Sequence, residues 1–451
     1  MAKITPELIP FHTATAAFSA GKDSPREYLE RRIAKIEADE PQVRAFVSLN
    51  IDRARAAADM SSDRWKQGQP LSAIDGMPVG IKDIIETVDM PTECGSPIYK
   101  GWQSNRDAAV VAALREAGAI IIGKTVTTEF AAMEPRATRN PWDLGRTPGG
   151  SSSGSAAGVA AGFFPVGIGT QALGSLIRPA SYNGIVGFKP SQGALNRGGA
   201  IDYLSQSVIG VLSASLEDSW NVAHAIAQRV GGDPGFPGLM GPAQRPLGKM
   251  PRTIALLQTP GWDQASFAAK RLLDDAITRL KSRGVTVITR ADDKAVAEVE
   301  MAVTNGIALS HKINGWEWLW PLNSFKTRDA AALSKFMHDR MATNAKMTLD
   351  DYRAALAERE TIRASYAKLA EHCEAVVTLS AIGPAPVGLH GTGTSPFNAP
   401  ASMIGNPAIS LPLFTEDSMP LGLQVMGFLH KDADLFAIAG WIDDVLGGTH
   451  A

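Results

Sequence analysis

Apolar positions in the first quarter of the chain alternate between helical spacing and short continuous runs. Over residues 25–39 they recur every three or four positions, which predicts a surface helix, and Ser24 and Glu27 form a capping-box pattern at its start. A second helix, rich in Ala and Arg, is predicted around residues 50–66. Residues 77–85 are an apolar run that carries a lysine, and this run predicts a short buried strand.

The same alternation continues through the rest of the chain. Helical patterns are predicted at residues 107–117, 264–283 and 349–372, and buried strands at residues 119–123 and 164–169. Alternating helices and short apolar strands are typical of proteins in which helices cover the faces of a sheet. The pattern therefore predicts an α/β fold.

The composition narrows the class of protein without indicating an activity. The chain has 451 residues, of which 45% are hydrophobic and 20% charged, and its net charge is −2. That balance gives an ordinary core and no basic surface for nucleic acid. The apolar stretches are too short for the roughly 20 residues that cross a membrane, and the N-terminus lacks an apolar signal-peptide core. With only Cys94 and Cys373 available, we expect a cytoplasmic protein without a nucleic-acid or membrane partner.

Several common catalytic machineries are missing from the sequence. The eight histidines are scattered, without an HExxH motif or a Cys/His cluster, so we expect no metal site. Neither a P-loop nor a dinucleotide-binding glycine motif occurs, so we expect no bound cofactor. Three serine-based interpretations are left.

The first two interpretations fit their surroundings poorly. Residues 150–154 satisfy the G-x-S-x-G nucleophile elbow, but that motif follows a strand, and residues 140–148 cannot form a buried one. Ser365 and Lys368 satisfy S-x-x-K inside an evenly amphipathic helix, without the companion motifs of that class. The third interpretation uses no histidine and requires a serine that is activated by a neutral lysine.

Lys82 has the most apolar surroundings of any lysine in the chain. To act as a base at neutral pH, a lysine must lose about three units from its usual pKa of about 10.4, and burial shifts the pKa in that direction. The competing interpretation is an ion pair with a carboxylate such as Asp83. From these residues alone, the ion pair is the favoured interpretation.

Three motifs resemble, in order, the lysine, relay-serine and nucleophile motifs of the amidase signature family: residues 76–83, 149–157 and 169–180. Enzymes of this family use a Ser–cis-Ser–Lys triad. Ser151 and Ser175 lie 24 positions apart (175 − 151), the separation that this family keeps. The likeness extends to residues 24–49 and to residues 411–427, so it spans most of the chain.

The resemblance implies a fold and a domain organisation. It implies one amidase domain over residues 1–451, with a large mixed β-sheet core flanked by helices on both faces. The signature core would cover about residues 74–215, and a variable region at about residues 300–400 would cover the substrate pocket. Any boundary between lobes is expected in the Pro/Gly-rich residues 231–252.

The resemblance implies an amidohydrolase that cleaves C–N acyl bonds through an acyl-enzyme, and it assigns a role to each motif residue. Ser175 would be the nucleophile, Ser151 the proton relay after a cis Gly150–Ser151 peptide bond, and Lys82 the base. The oxyanion would be held by the backbone N–H groups of Ala172, Leu173, Gly174 and Ser175. Three further side chains are expected to support this machinery. Ser152 and Ser153 are candidate hydrogen-bond partners of Lys82, with solvent contact or helix capping as the alternative role, and Arg178 is expected to brace the loop rather than contact the substrate.

The chain departs from the family pattern at three places. Gln171 stands where many members have Asp, which argues against the tRNA-dependent amidotransferase branch that works with partner subunits. Leu173 replaces a glycine of the oxyanion loop; it is tolerable if φ stays negative, and its side chain would narrow the site. Residues 207–214 lack the usual Asp-Thr and Arg. These departures bear on the substrate more than on the triad.

An aromatic, Met-containing stretch is expected to cover the pocket and to favour an apolar or aryl amide or carbamate. The candidate contacts, for which core packing is the alternative role, are Trp316, Trp318, Trp320, Phe325, Phe336, Met337 and Phe397. Small primary amides are the rival substrates. A catalytically inactive amide-binding scaffold is a further alternative, although all three triad positions are intact. The sequence leaves the oligomeric state open, a homodimer included.

Overall fold

One mixed sheet of eleven strands runs through the chain, which a computed structural model describes over residues 4–447. The strands are β1 Phe46–Leu49, β2 Pro78–Lys82, β3 Ile120–Thr125, β4 Val166–Gln171, β5 Val186–Lys189, β6 Val208–Ser213, β7 Thr253–Leu256, β8 Thr286–Ile288, β9 Ala375–Leu379, β10 Ala408–Glu416 and β11 Met419–Met426. Their order across the sheet is β1-β3-β2-β4-β6-β5-β10-β11-β9-β7-β8.

The sheet combines parallel and antiparallel pairs, so the predicted mixed sheet is confirmed. β2 runs parallel to both of its neighbours, β3 and β4, whereas β4 pairs antiparallel with β6. The carboxyl ends of parallel strands meet at one edge of a sheet, where α/β proteins commonly bind ligands. Lys82, the last residue of β2, therefore lies at the same edge as the end of β4.

Fifteen α-helices are described within residues 4–447. They are α1 Thr15–Ser19, α2 Pro25–Val43, α3 Ile51–Lys66, α4 Ala109–Glu116, α5 Ser153–Ala160, α6 Ile177–Asn183, α7 Leu216–Val230, α8 Phe267–Ser282, α9 Lys294–Ala302, α10 Gly306–Glu317, α11 Leu319–Asp329, α12 Lys335–Asn344, α13 Leu349–Lys368, α14 Ala399–Ile404 and α15 Asp432–Leu446. None of these described helices is long and apolar enough to cross a membrane.

Both faces of the sheet are covered by apolar side chains. Along β3, Ile121 belongs to the largest apolar cluster of the protein, whereas Ile120 and Ile122 belong to a second cluster with residues of α2, α3 and α5. Successive side chains of a strand point to opposite faces, so these two clusters lie on opposite sides of the sheet. This burial on both faces explains why the strand sequences are continuous apolar runs.

The helix predicted at residues 25–39 exists and extends to Val43, beyond its predicted end. Its capping box is only half formed. The Ser24 hydroxyl accepts a hydrogen bond from the Glu27 amide at 3.2 Å, but the Ser24 amide donates to Asp23 instead of Glu27. The side chain of Asp23 thus takes the bond that the pattern predicts for Glu27.

The Pro/Gly-rich residues 231–252 form no helix or strand. They lead from α7 into β7, which lies near the opposite edge of the same sheet from β1. The connection therefore joins two parts of one sheet.

Candidate active site

Lys82 is fully buried, and its amine contacts two hydroxyl groups rather than a carboxylate. Lys82 Nζ lies 2.7 Å from Ser151 Oγ and 2.8 Å from Thr170 Oγ1. Asp83 forms its ion pair with Lys124, at 3.2 Å. Within residues 4–447, Lys82 has no ion pair, so the interpretation that it pairs with Asp83 is wrong.

The environment of Lys82 favours a neutral amine. Burial lowers the pKa of Lys82 to about 7, and the negative charge of Asp202 opposes that shift. A large share of the lysine is then unprotonated at neutral pH, as a general base requires. Thr170 was not among the predicted site residues. The signal that would have found it is its position near the carboxyl end of β4, beside the end of β2.

Ser151 follows the peptide bond Gly150–Ser151, which is cis as the resemblance implied. Gly149, one residue earlier, has φ +78°, a conformation that favours glycine. A Cβ atom on Gly150 would come within 2.8 Å of the Thr392 side chain, so this close approach also requires glycine. Residues 140–148 contain only turns and isolated bridges, without the strand that a nucleophile elbow needs.

Ser175 lies in the turn between β4 and α6 and is partly exposed to the cavity described below. The turn is held by Gln171, whose side-chain oxygen accepts the amides of Leu176 and Ile177 at 2.8 and 3.0 Å. A carboxylate at position 171 could accept the same two amides. Gln171 therefore braces the loop, and its side-chain nitrogen also donates to the Ser402 hydroxyl at 3.0 Å, a hydrogen bond that a carboxylate could not donate.

Four consecutive amides of this turn are available for a ligand. Within residues 4–447, no protein acceptor is bonded to the backbone N–H groups of Ala172, Leu173, Gly174 and Ser175. Leu173 is not among the residues with positive φ, so a glycine is not needed there for conformational reasons. Unbonded backbone donors beside a serine are the arrangement that stabilises a developing oxyanion.

Arg178 joins the segment of Ser151 to the segment of Ser175. From the first turn of α6, its buried guanidinium donates to the carbonyl oxygen of Gly150 at 2.6 Å, and also to the hydroxyls of Thr392 and Ser395. Burial lowers the pKa of Arg178 to about 10, so the group stays charged at neutral pH. These contacts fit the expected bracing role.

Ser152 and Ser153 contact the protein backbone and not Lys82. The hydroxyl of Ser152 donates to the Thr170 carbonyl at 3.3 Å, and that of Ser153 donates to the Val126 carbonyl at 3.2 Å. The partners predicted for Lys82 are thus replaced by Ser151 and Thr170. Ser152 still contributes indirectly, because it holds the strand end that carries Thr170.

Two neighbouring cavities lead from Ser175 toward the surface. The inner cavity, of about 40 Å³, is lined by Ala172, Leu173, Gly174 and Ser175 from the turn and by residues of α10 and α12. The outer cavity, of about 640 Å³, has a mostly apolar lining that includes Ile307, Phe336 and Met347. Both are lined by Met133, Leu173, His311, Arg340 and Ser395.

A family model described as Amidase matches residues 27–436. The chain belongs to the amidase signature family. As a member, it is a C–N hydrolase or an amidotransferase component, which confirms the coarse activity predicted from its motifs. The family fold is confirmed as well, because a crystal structure of an amidase superposes with a TM-score of 0.84, at 25% identity, over 97% of this chain and all of that one (100%).

The relatives of this amidase include components of amidotransferases. A glutamyl-tRNA(Gln) amidotransferase subunit from Symbiobacterium thermophilum is 31% identical over 94% of this chain and 93% of that protein. The corresponding protein from Chloroflexus aggregans, which carries the same name, is 43% identical over 221 residues. That second match covers 48% of this chain, and the chain spans less than half of that relative, 45% of its length.

The aromatic residues predicted to cover the amidase pocket lie in different environments. Trp318 lines the inner cavity and Phe336 the outer one. The others do not line either cavity: Trp316 stacks on Tyr352, Trp320 is 69% exposed, Phe325 stacks on Phe130, and Met337 and Phe397 are fully buried in the apolar core. The structure adds His311, Asn314 and Arg340, polar residues that the apolar pattern did not reveal.

Proposed function

We propose that this chain hydrolyses C–N acyl bonds through an acyl-enzyme, with Ser175 as the nucleophile, Ser151 as the proton relay and Lys82 as the base. The observation that carries the proposal is the pair of contacts made by Lys82. A fully buried lysine amine lies 2.7 Å from the hydroxyl of Ser151 and has no carboxylate partner within residues 4–447. A lysine in this environment can accept a proton near neutral pH.

The two hydroxyls around Lys82 suit different tasks. In the neutral state, the amine has one lone pair for accepting a proton and N–H groups for donating. We assign the lone pair to Ser151, and an N–H donation to Thr170, 2.8 Å away. Thr170 would thereby orient the lone pair toward the relay.

The reaction begins when Ser175 Oγ attacks the carbonyl carbon of the substrate. The Ser175 proton passes to Ser151, and the Ser151 proton passes to Lys82, which becomes an ammonium group. When the C–N bond breaks, Ser151 gives a proton to the departing nitrogen and recovers one from Lys82. Water then attacks the carbonyl carbon of the acyl group, and its proton passes through Ser151 to Lys82. The bond from that carbon to Ser175 Oγ breaks, Ser175 recovers a proton from Ser151 and Ser151 one from Lys82, and the free acid leaves.

Charge that develops on the carbonyl oxygen needs donors already in place. The four unbonded amides from Ala172 to Ser175 supply candidate donors, and Gln171 fixes the turn from which they project. Loss of one such donor typically raises the barrier by about 3 kcal/mol. The turn therefore stabilises the oxyanion through its backbone rather than through its side chains.

The cavities support an amide or carbamate with an apolar or aryl group. Phe336, Ile307 and Met347 give the outer cavity an apolar surface that can hold a flat or branched group. A small primary amide would leave this volume unfilled. Carbamates are included because they present the same carbonyl carbon and nitrogen to Ser175.

A second candidate function is the glutamine-hydrolysing component of a tRNA-dependent amidotransferase. The 31% identity to the Symbiobacterium thermophilum protein over 94% of the chain favours it. The apolar outer cavity of about 640 Å³ favours the hydrolase instead, because a glutamine side chain is small and polar. A catalytically inactive amide-binding scaffold is the third alternative.

A substrate panel separates these functions. We would measure amine or ammonia release from an anilide, an N-aryl carbamate, a small primary amide and free glutamine, with Ser175→Ala as the control. The proposal predicts the highest kcat/KM for the anilide or the carbamate, and none in Ser175→Ala. Preference for glutamine would support the amidotransferase function. Equal inertness of both proteins toward the panel and toward a serine-reactive probe would support the scaffold.

A further inference from the structure

Arg340 is a cation without an anionic partner at the junction of the two cavities. It lies on α12 and lines both the inner and the outer cavity. Within residues 4–447, its guanidinium makes no ion pair with an acid, and its carbon Cζ lies over the ring of Trp318, 5.9 Å from the ring centre. The acid that lines the outer cavity, Asp339, pairs with Lys335 at 2.6 Å. The charge of Arg340 is therefore left for a ligand.

Asn314 is a second polar group in the cavity wall without a protein partner. Its side chain is 1% exposed, it lies on α10, and it lines the inner cavity together with Ser175 and Arg340. The side-chain oxygen of Asn314 has no hydrogen-bond partner within the described chain. Buried amides are normally bonded, and this oxygen, in the cavity wall that also carries Ser175, is free to accept a hydrogen bond from a ligand.

The other titratable groups around Arg340 do not cancel its charge. His311 lines both cavities, and desolvation together with the charge of Arg340 lowers its pKa, so it is neutral at pH 7. Lys312 adds a positive charge to the outer cavity. The wall that faces the substrate is thus positive at the place where the two cavities meet.

We propose that Arg340 binds a carboxylate of the substrate, and that the side-chain oxygen of Asn314 accepts a hydrogen bond from an N–H group of the same molecule. This deepens the proposed function and rests on it: the substrate class is an amide that carries a free carboxylate as well as an apolar group. Monoamides of dicarboxylic acids and N-acyl amino acids have this chemistry.

The geometry of a guanidinium suits this role. Its planar fork donates two parallel hydrogen bonds to a carboxylate, and packing of its face on an aromatic ring leaves those edges free. Arg340 lies over the ring of Trp318, 5.9 Å from its centre, and no acid of the described chain pairs with its N–H edges. Phe336 and Leu173 lie in the same walls and can hold the apolar part of the substrate.

Two sets of matched anilides test the proposal, and the first set has three acid–ketone pairs. The acids are the monoanilides of malonic, succinic and glutaric acid, and each is compared with a counterpart in which a methyl ketone replaces the carboxylate. We expect the best acid to exceed its uncharged counterpart by about tenfold or more in kcat/KM, as a charge-assisted hydrogen bond allows. The second set is one pair, N-acetyl-4-aminobenzoate and 4-acetamidoacetophenone, in which the acid carries its charge on the departing amine.

Three variants test whether Arg340 causes the preference for acids over ketones. Arg340→Met keeps the length of the side chain and should reduce the acid-to-ketone ratio to about 1, whereas Arg340→Lys should retain part of it. The control is Arg353→Met, which removes an exposed cation on α13 outside the cavities and should keep the wild-type ratio. Thermal unfolding of each variant shows that the fold is retained. A wild-type acid-to-ketone ratio of 1 or less in every pair of both sets, or a ratio unchanged in Arg340→Met, overturns the proposal.

Binding separates this proposal from the proposed reaction. In Ser175→Ala, calorimetry should show tighter binding of the best acid than of its ketone, with the difference lost when Arg340→Met is added. Such binding without turnover by the wild-type protein would contradict the hydrolase function and support the carboxylate site. Turnover with no acid preference in either measurement would support the hydrolase and overturn the carboxylate site.

Discussion

Replacement of Asp202 by Asn should shift the pH dependence of the reaction in a defined direction. The negative charge of Asp202 raises the pKa of Lys82, whereas burial lowers it to about 7. Asn keeps an oxygen that can accept the hydrogen bond from the Ser207 hydroxyl, so the loop can retain its structure. Without the negative charge, burial acts alone, and the pKa of Lys82 falls below its wild-type value.

The size of the wild-type effect follows from the pKa. If neutral Lys82 is the base, kcat/KM rises with pH, reaches half of its maximum near pH 7, and falls about tenfold for each pH unit below that. At pH 6 the wild-type protein should then retain about one tenth of its maximum. Asp202→Asn should retain a larger share of its own maximum at pH 6, because more of its lysine is neutral there.

The assay is aniline release from the best anilide between pH 5 and pH 9. Asp274→Asn is the control. Asp274 is an exposed acid on α8, is distant in sequence from Lys82, and has no ion pair within the described residues. Its acidic limb should coincide with that of the wild-type protein. An acidic limb in Asp202→Asn that is unmoved, or displaced to higher pH, would refute the assignment of Lys82 as the base. A wild-type limb near pH 4 would indicate a carboxylate base instead.

Three further substitutions test the parts around the triad. Thr170→Val removes a hydrogen-bond acceptor of Lys82 and should lower kcat about tenfold with little change in KM, whereas Thr170→Ser should restore kcat. If Thr170→Val is as active as the wild-type protein, Thr170 has no role in the site. Arg178→Met removes the hydrogen bond to the Gly150 carbonyl and should lower kcat by about a hundredfold, because Ser151 is then misplaced. Arg178→Lys should restore part of the lost kcat. A change in KM alone would indicate that Arg178 contacts the substrate. Leu173→Gly should raise kcat/KM for a benzoyl anilide relative to an acetyl anilide, and an unchanged ratio would mean that Leu173 does not restrict the acyl group. In urea titrations the same substitution should lower the free energy of unfolding by about 1 kcal/mol.

Much of the core was predictable because its signals are local. The helix at Pro25–Val43 and the strand at Pro78–Lys82 follow from the spacing of apolar residues, and three motifs give the order of the candidate catalytic residues. The sequence could also have shown that Lys82 does not pair with Asp83. Consecutive residues along an extended segment point to opposite sides, so Asp83 was a poor partner for its neighbour.

The residues that were missed depend on contacts between distant parts of the chain. Thr170 meets Lys82 because β4 pairs with β2, and neither strand indicates its neighbour in isolation. Asn314 and Arg340 reach the cavity through the packing of α10 and α12. An aromatic pattern cannot distinguish Trp318, which lines the cavity, from Trp320, which is 69% exposed.

The identity of the nucleophile is the central claim, and labelling by a fluorophosphonate tests it most directly. The measurement is the intact mass of the protein after exposure to the probe at pH 8, followed by peptide mapping of the adduct. We predict one adduct per chain, located on Ser175, absent from Ser175→Ala and formed much more slowly in Lys82→Met. An adduct on another residue, or full labelling of Ser175→Ala, would contradict the account.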